Sequence, residues 1–202
     1  MFIGLTIEAP EPPKLAAFWA ELLGGEVSGT TVRGPETDLV FVPESGPKAG
    51  KNRLHLDLAS YSPEGQRAKV ERALALGASR CDIGQGEVPW VVLADPAGNE
   101  FCVLEPRPGY TTTETLAAVV VDSLDPAAQA AFWSELTGWR AGSEVPGVIV
   151  GLRAPDGRGP WLEFLRTGEP KRHPNRLRPI VRTHRSATTD PEGNEFSLVE
   201  GV

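Results

Sequence analysis

The phrase Asp-Pro-x-Gly-Asn-Glu-Phe occurs twice, at Asp95–Phe101 and Asp190–Phe196. Each copy ends a stretch opened by Ala-Ala-Phe-Trp, at Ala16–Trp19 and Ala130–Trp133. A repeat of so long a period constrains the fold more than any single motif, because one architecture must be built twice. Its spacings locate a defect. Phe18 and Phe132 are 114 residues apart, and Asn52-Arg53-Leu54 and Asn175-Arg176-Leu177 are 123 apart, but Asp95 and Asp190 are only 95 apart. The second copy has therefore lost 28 residues between its Asn-Arg-Leu and Asp-Pro motifs. They correspond to about Ser60–Trp90 of the first copy.

A chain of 202 residues with this repeat divides into two small domains, 1–108 and a shortened 114–202. The segment Arg107–Glu114 reads as the linker. A hydrophobic fraction of 40% is enough for ordinary cores. No apolar run approaches the ~20 residues that span a bilayer, and the N-terminus lacks the pattern of a signal peptide. Cys81 and Cys102 make no disulfide framework. These features describe a soluble, cytoplasmic monomer or homodimer with no membrane partner. A net charge of −7 argues against general nucleic-acid binding. One segment runs the other way: Arg166–Arg185 carries seven Arg or Lys and one acid, Glu169. It is either a solvated basic surface, an anion-binding patch, or a face that meets the acidic remainder.

Periodicity gives strand, helix and three strands, repeated. Phe2–Glu8 alternates, with Gly4, Thr6 and Glu8 on one face. Pro12 and Pro13 enter a helix whose Leu15, Phe18, Trp19, Leu22 and Leu23 share a side, and Gly24-Gly25 ends it. Strands follow near Glu26–Val32 and Leu39–Val42. Arg53–Ala59 alternates again, placing Arg53, His55 and Asp57 together. A helix over Pro63–Leu76 precedes strands near Ser79–Ile83, Trp90–Ala94 and Glu100–Glu105. The second half gives a strand at Leu116–Val121, a helix at Pro126–Leu136, and strands at Val148–Leu152, Trp161–Leu165, Leu177–Val181 and Glu195–Val199. The last two leave no room for a helix between them. Pro179 lacks the amide donor of an interior strand, which suggests an edge or a bulge. The fold class is α+β: tandem βαβββ units forming cup-shaped mixed sheets, helices outside, the fourth unit truncated.

The tandem unit, Ala-Ala-Phe-Trp-x-Glu-Leu, the Asn52–Leu58 run Asn-Arg-Leu-His-Leu-Asp-Leu and both Asp-Pro-x-Gly-Asn-Glu-Phe copies resemble the vicinal oxygen chelate superfamily. This is the glyoxalase, bleomycin-resistance and extradiol-dioxygenase group, and the likeness is to its glyoxalase-like branch. The resemblance implies a cup that holds a divalent metal in the enzymes of the family. It places the ligand positions at Gly4, Val40, His55 and Cys102 in a first cup, and at Ala118, Glu163, Arg178 and Ser197 in a second. Neither quartet suits a metal, since Gly, Val and Ala donate nothing and Arg stays cationic.

No metal ligand is therefore assigned and no cofactor is expected, a divalent ion being the alternative. His55, Asp57 and Glu100 are the candidate acid–base cluster, since His titrates near neutrality and a carboxylate can orient it. Thr6, His55, Trp90 and Cys102 are the candidate ligand contacts. The leading expectation is metal-independent binding of an aromatic or amphipathic small molecule in the first cup. One alternative is an enzyme, either a metal-dependent lyase, isomerase or dioxygenase or an acid–base catalyst using His55. Another is a structural second domain acting as a built-in dimer partner. Trp19 and Trp133 read as core, the Asp-Pro-x-Gly-Asn turns as structural, and His173 and His184 as exposed.

Overall fold

The computed structural model describes residues 1–34, 37–113 and 115–199. The linker's last residue, Glu114, and the end of the second domain, 200–202, lie outside the described residues. The first unit is β1 (Phe2–Ala9), α1 (Pro12–Leu23), β2 (Glu26–Ser28), β3 (Thr31–Arg33) and β4 (Asp38–Pro43). The second is β5 (Leu54–Leu58), α2 (Pro63–Ala75), β6 (Ser79–Arg80), β7 (Val91–Ala94) and β8 (Glu100–Val103). The third is β9 (Leu116–Ser123), α3 (Pro126–Thr137), β10 (Arg140–Val145), β11 (Ile149–Arg153) and β12 (Trp161–Arg166). The fourth keeps only β13 (Leu177–Arg182) and β14 (Ser197–Val199). The truncation read from the repeat spacing is thus a missing helix and hairpin.

Local chemistry sets the helix ends. Both α1 and α3 start with a proline at the first turn and end at a left-handed glycine, Gly24 (φ 71°) and Gly138 (φ 77°). Asp125 caps α3 by accepting from Ala128 N at 3.1 Å, and the Ser62 hydroxyl accepts from Gly65 N at 3.0 Å to cap α2.

The sheets do not follow the division into halves. One has the order β14-β13-β1-β4-β3-β2, the other β10-β11-β12-β9-β5-β8-β7-β6. The first unit is joined to the fourth by antiparallel β1–β13 pairing, with Thr6 opposite Arg178. The second is joined to the third by antiparallel β5–β9 pairing, with His55 opposite Val120. This corrects the expectation of a first cup made by residues 1–108 alone. Gly4 and Val40 share a sheet with Arg178 and Ser197, whereas His55 and Cys102 share one with Ala118 and Glu163. Sequence adjacency suggested the other pairing, but β1 and β5 each find an antiparallel partner only in the distal half.

The buried helix faces do follow the halves. Trp19 of α1 meets Phe101 of β8 edge-on, with ring centroids 5.1 Å apart, and Trp133 of α3 meets Phe196 in the same way at 5.2 Å. Each indole N–H reaches the Asp of its own half's turn: Trp19 Nε1 donates to Asp95 at 3.1 Å, Trp133 Nε1 to Asp190 at 3.3 Å. Within each turn one Asp oxygen accepts two backbone N–H groups, and Gly98 (φ 78°) or Gly193 (φ 79°) turns the chain. The core reading of both tryptophans and the structural reading of both turns therefore hold.

Two local expectations need correction. Pro179 is in neither an edge strand nor a bulge of its own, because β13 lies between β14 and β1. It is tolerated because β14 begins pairing only at Ile180, so no neighbouring strand asks for its missing donor. The exposed strand β10, Arg-Ala-Gly-Ser-Glu-Val, escaped the periodicity reading because it is a sheet edge with no apolar face.

Asp95→Ala is expected to lower stability by about 3 kcal/mol, since it strands a buried indole N–H and two turn amides. The urea unfolding midpoint measures this, and a loss below about 1 kcal/mol would contradict the account.

Candidate functional site

The eight-stranded sheet carries the chemistry. Alternation along β5 turns His55 and Asp57 to its concave face, and β8 places Cys102 in register with Asp57. Donor atoms of His55, Asp57 and Cys102 all lie within 4.8 Å of one another, and all three residues are buried. His55 Nε2 is 3.4 Å from Asp57 Oδ1. The Cys102 thiol lies beside the Asp57 carboxyl, within that same 4.8 Å. Neither His55 Nδ1 nor Asp57 Oδ1 has a hydrogen-bond partner. A buried polar atom left in this way costs on the order of 1–3 kcal/mol.

A further carboxylate near the cluster comes from the third unit. Glu163 of β12 is buried beside Ala118 and Val120 of β9, and accepts from the Tyr110 hydroxyl at 2.9 and 3.2 Å. Burial, and then the nearby Glu163, push Asp57 up to about 7. Burial also raises Glu163 above the usual carboxylate range. His55 is held down to about 3, first by burial and then by the charge of Lys51. Burial raises Cys102 far above an ordinary thiol, with the Asp57 charge adding to it. Without a cation the cluster is thus a neutral imidazole, a thiol and a carboxyl that titrates near neutrality.

The segment read as a linker closes this cup. A 3-10 turn at Pro108–Tyr110 brings the Tyr110 hydroxyl to Glu163, and Trp161 Nε1 donates to Gly109 O at 3.1 Å. Arg107 sits over the Trp90 ring at 5.4 Å and over the Tyr110 ring at 6.0 Å, while Glu105 holds its guanidinium at 2.6 Å. Tyr61 donates to Thr113 O at 2.6 Å. Beneath lies a small apolar layer of Ala59, Val92, Cys102, Leu104 and Ala117, with Ile83, Trp90 and Tyr110 against it.

The structure brings His55, Asp57 and Cys102 together and puts Trp90 at their rim. Glu100 lies two residues before Cys102, on the same face, but its carboxylate is held by Lys48 at 2.6 Å and by Asn52 N at 3.1 Å. Thr6 is on the other sheet, opposite Arg178, so it does not share the cup of His55. Arg178 pairs with Glu8 at 2.7 Å, and the concave face around Thr6, Val40 and Ile180 is half-buried. The periodicity does not bring Glu163 and Tyr110 to the neighbourhood of Asp57, where the structure places them. Glu163 had been placed in another cup, and Tyr110 had been read as linker. Exposure of His173 and His184 is as expected.

The profile of the glyoxalase-like domain matches residues 4–104 and 118–189. The chain belongs to the glyoxalase-like domain family. This member of the vicinal oxygen chelate superfamily is similar in fold to glyoxalase I from Zea mays. That likeness covers 98% of this chain and 92% of the maize chain at 13% identity, with a TM-score of 0.66. A putative dioxygenase from Bacillus subtilis subsp. subtilis str. 168 aligns over 95% of this chain and 71% of its own, at 15% identity and a TM-score of 0.58. A search of curated protein sequences gave no match. At such identities the structural likeness speaks for the fold alone. Both comparisons agree with the cup-shaped α+β architecture read from the repeat. No helix among the described residues is long and apolar enough to cross a membrane.

The two buried titrations oppose each other in chelator-treated protein. Asp57, raised from 3.8 to about 7, contributes stability that is lost as pH rises across that window. His55, lowered from 6.5 to about 3, contributes stability that is gained as pH rises between those values. Asp57→Asn removes the falling contribution, so its stability should climb more steeply than wild type from about pH 4 to pH 6.5. Urea midpoints at the two pH values measure it, and equal slopes would refute the Asp57 assignment.

Proposed function

We propose that this glyoxalase-like protein uses the cup shared by its second and third units to hold one divalent transition-metal ion and act on a small organic molecule. One observation carries the reading: an imidazole nitrogen, a carboxylate oxygen and a thiol sulfur converge within 4.8 Å in a buried site, and His55 Nδ1 and Asp57 Oδ1 have no hydrogen-bond partner. A cation would satisfy these atoms and draw off the Asp57 and Cys102 protons, whose affinities burial has raised. The expectation that no metal could be held rested on combining His55 and Cys102 with Gly4 and Val40. With the second and third units paired, the donors become His55, Asp57 and Cys102, with Glu163 nearby. A mixed nitrogen, oxygen and sulfur set of this kind suits zinc and neighbouring transition metals.

Such an ion supplies Lewis-acid polarisation of a substrate oxygen. The chain's own residues would do the rest. The Tyr110 hydroxyl donates to Glu163, whose carboxyl burial raises above its ordinary value, so the pair offers a hydrogen-bonding and proton-exchanging group to a ligand. The apolar layer and the 105–113 segment exclude water, and that segment must lift to admit a ligand. Trp90 offers a ring face at the rim when Arg107 leaves it.

A metal-free reading has its own support. An Asp57 titrating at about 7 is suited to acid–base exchange beside a neutral His55. In that case the cup binds an aromatic or amphipathic molecule by shape and hydrogen bonding.

Elemental analysis of protein purified without chelator separates the two. The metal reading expects close to one equivalent of Zn, Fe, Mn, Ni or Co, falling at least tenfold in both His55→Ala and Cys102→Ala. No bound metal in wild type, and none taken up on titration with Zn or Co, would leave the metal-free binding reading in its place.

A further inference from the structure

A second recess lies outside the closed cup. It has a volume of about 700 Å³, and none of His55, Asp57, Cys102 or Glu163 lines it. Its walls are two loops that the sequence repeat matches, 44–53 before β5 and 166–176 before β13. The match extends to individual bonds. Lys48 pairs with Glu100 at 2.6 Å, and its counterpart Lys171 pairs with Glu195 at 2.8 Å. Asn52 N and Asn175 N each donate at 3.1 Å to those same two glutamates. The Asn52 and Asn175 side chains donate to Asn99 and Asn194, both at 3.0 Å.

The cations here fall into two groups. Lys48, Lys51, Arg53, Lys171 and Arg176 are each tied to one carboxylate, which fixes their positions. Arg166 and Arg172 line the same recess, are exposed, and have no carboxylate partner among the described residues. Arg53, whose side chain is only 9% exposed, keeps a buried Nε with no acceptor. Glu169 also lines the recess, so with the other five cations each paired, Arg166 and Arg172 leave it a local positive excess on a chain of net charge −7. The volume falls in the range of small-molecule sites, and guanidinium forks match the oxygens of phosphate and carboxylate.

We propose that this recess binds a small organic anion bearing phosphate or carboxylate, with Arg166 and Arg172 as its principal charge contacts. The proposal is independent of the metal reading.

The test is calorimetric and thermal-shift titration of the full chain with inorganic phosphate and with succinate, neither a strong chelator, and with neutral succinamide as control. At least one anion is expected to bind and to raise the melting temperature, with affinity falling steeply as NaCl rises. The arm that responds identifies the preferred headgroup. Arg166→Gln combined with Arg172→Gln should weaken binding tenfold or more. Arg67→Gln, which removes an exposed arginine on α2 outside the recess, should leave it unchanged. Silence from both anions, equal binding of succinamide, undiminished binding by the double variant, or an equal loss in Arg67→Gln would each overturn the proposal.

Discussion

Two antiparallel strand pairings, β1 with β13 and β5 with β9, hold the two halves in one body. A five-element unit leaves one sheet face uncovered by its helix, and the edge of its first strand still needs hydrogen-bond partners. Both needs are met by the distal half. The chain therefore has two kinds of connection. Indole-to-turn contacts of α1 and α3 bind each half to itself, while backbone ladders bind the halves to each other. Loss of 28 residues from the fourth unit removes a helix and a hairpin but spares β13, so the β1 pairing survives.

That loss makes the two sheets unequal. The concave face of the six-stranded sheet has Thr6, Val40 and Ile180 half-buried, with Arg178 tied to Glu8. The eight-stranded sheet has two full units, and the interdomain segment lies across its cup, so His55, Asp57, Cys102 and Glu163 are buried. The same burial raises Asp57 and depresses His55, because a charged group in a dry cup is not stabilised by water. One set of contacts thus both shields the site and tunes it.

The electrostatic division along the chain follows the same plan. Part of the basic run from Arg166 faces the recess between the matched loops, where Glu195 holds Lys171 and Glu44 holds Arg176, while Lys48, Lys51 and Arg53 of the other loop are held by Glu100, Asp122 and Glu192. Of the cations lining that recess, Arg166 and Arg172 have no carboxylate partner among the described residues.

Much of the architecture was legible in the residues. Repeat spacing gave four units and the missing helix. Helical periodicity put Trp19 and Trp133 in the core. Alternation put His55 and Asp57 on one face, with Cys102 turned into a cup. These are local properties, fixed by side-chain period and by turn residues such as Gly98 and Gly193. The edge strand β10 was not legible, because an exposed strand needs no apolar pattern. Nor could the residues say which units share a sheet, since a strand's hydrogen-bonding edge is the same whatever sequence approaches it. Only the tertiary pairing moved Glu163 to the side of Asp57, sent Thr6 to the other sheet, and laid Tyr110 over a site that the sequence had left open. Partner choice between strands is decided by how the whole chain packs, and the chemistry of this cup depends on that choice.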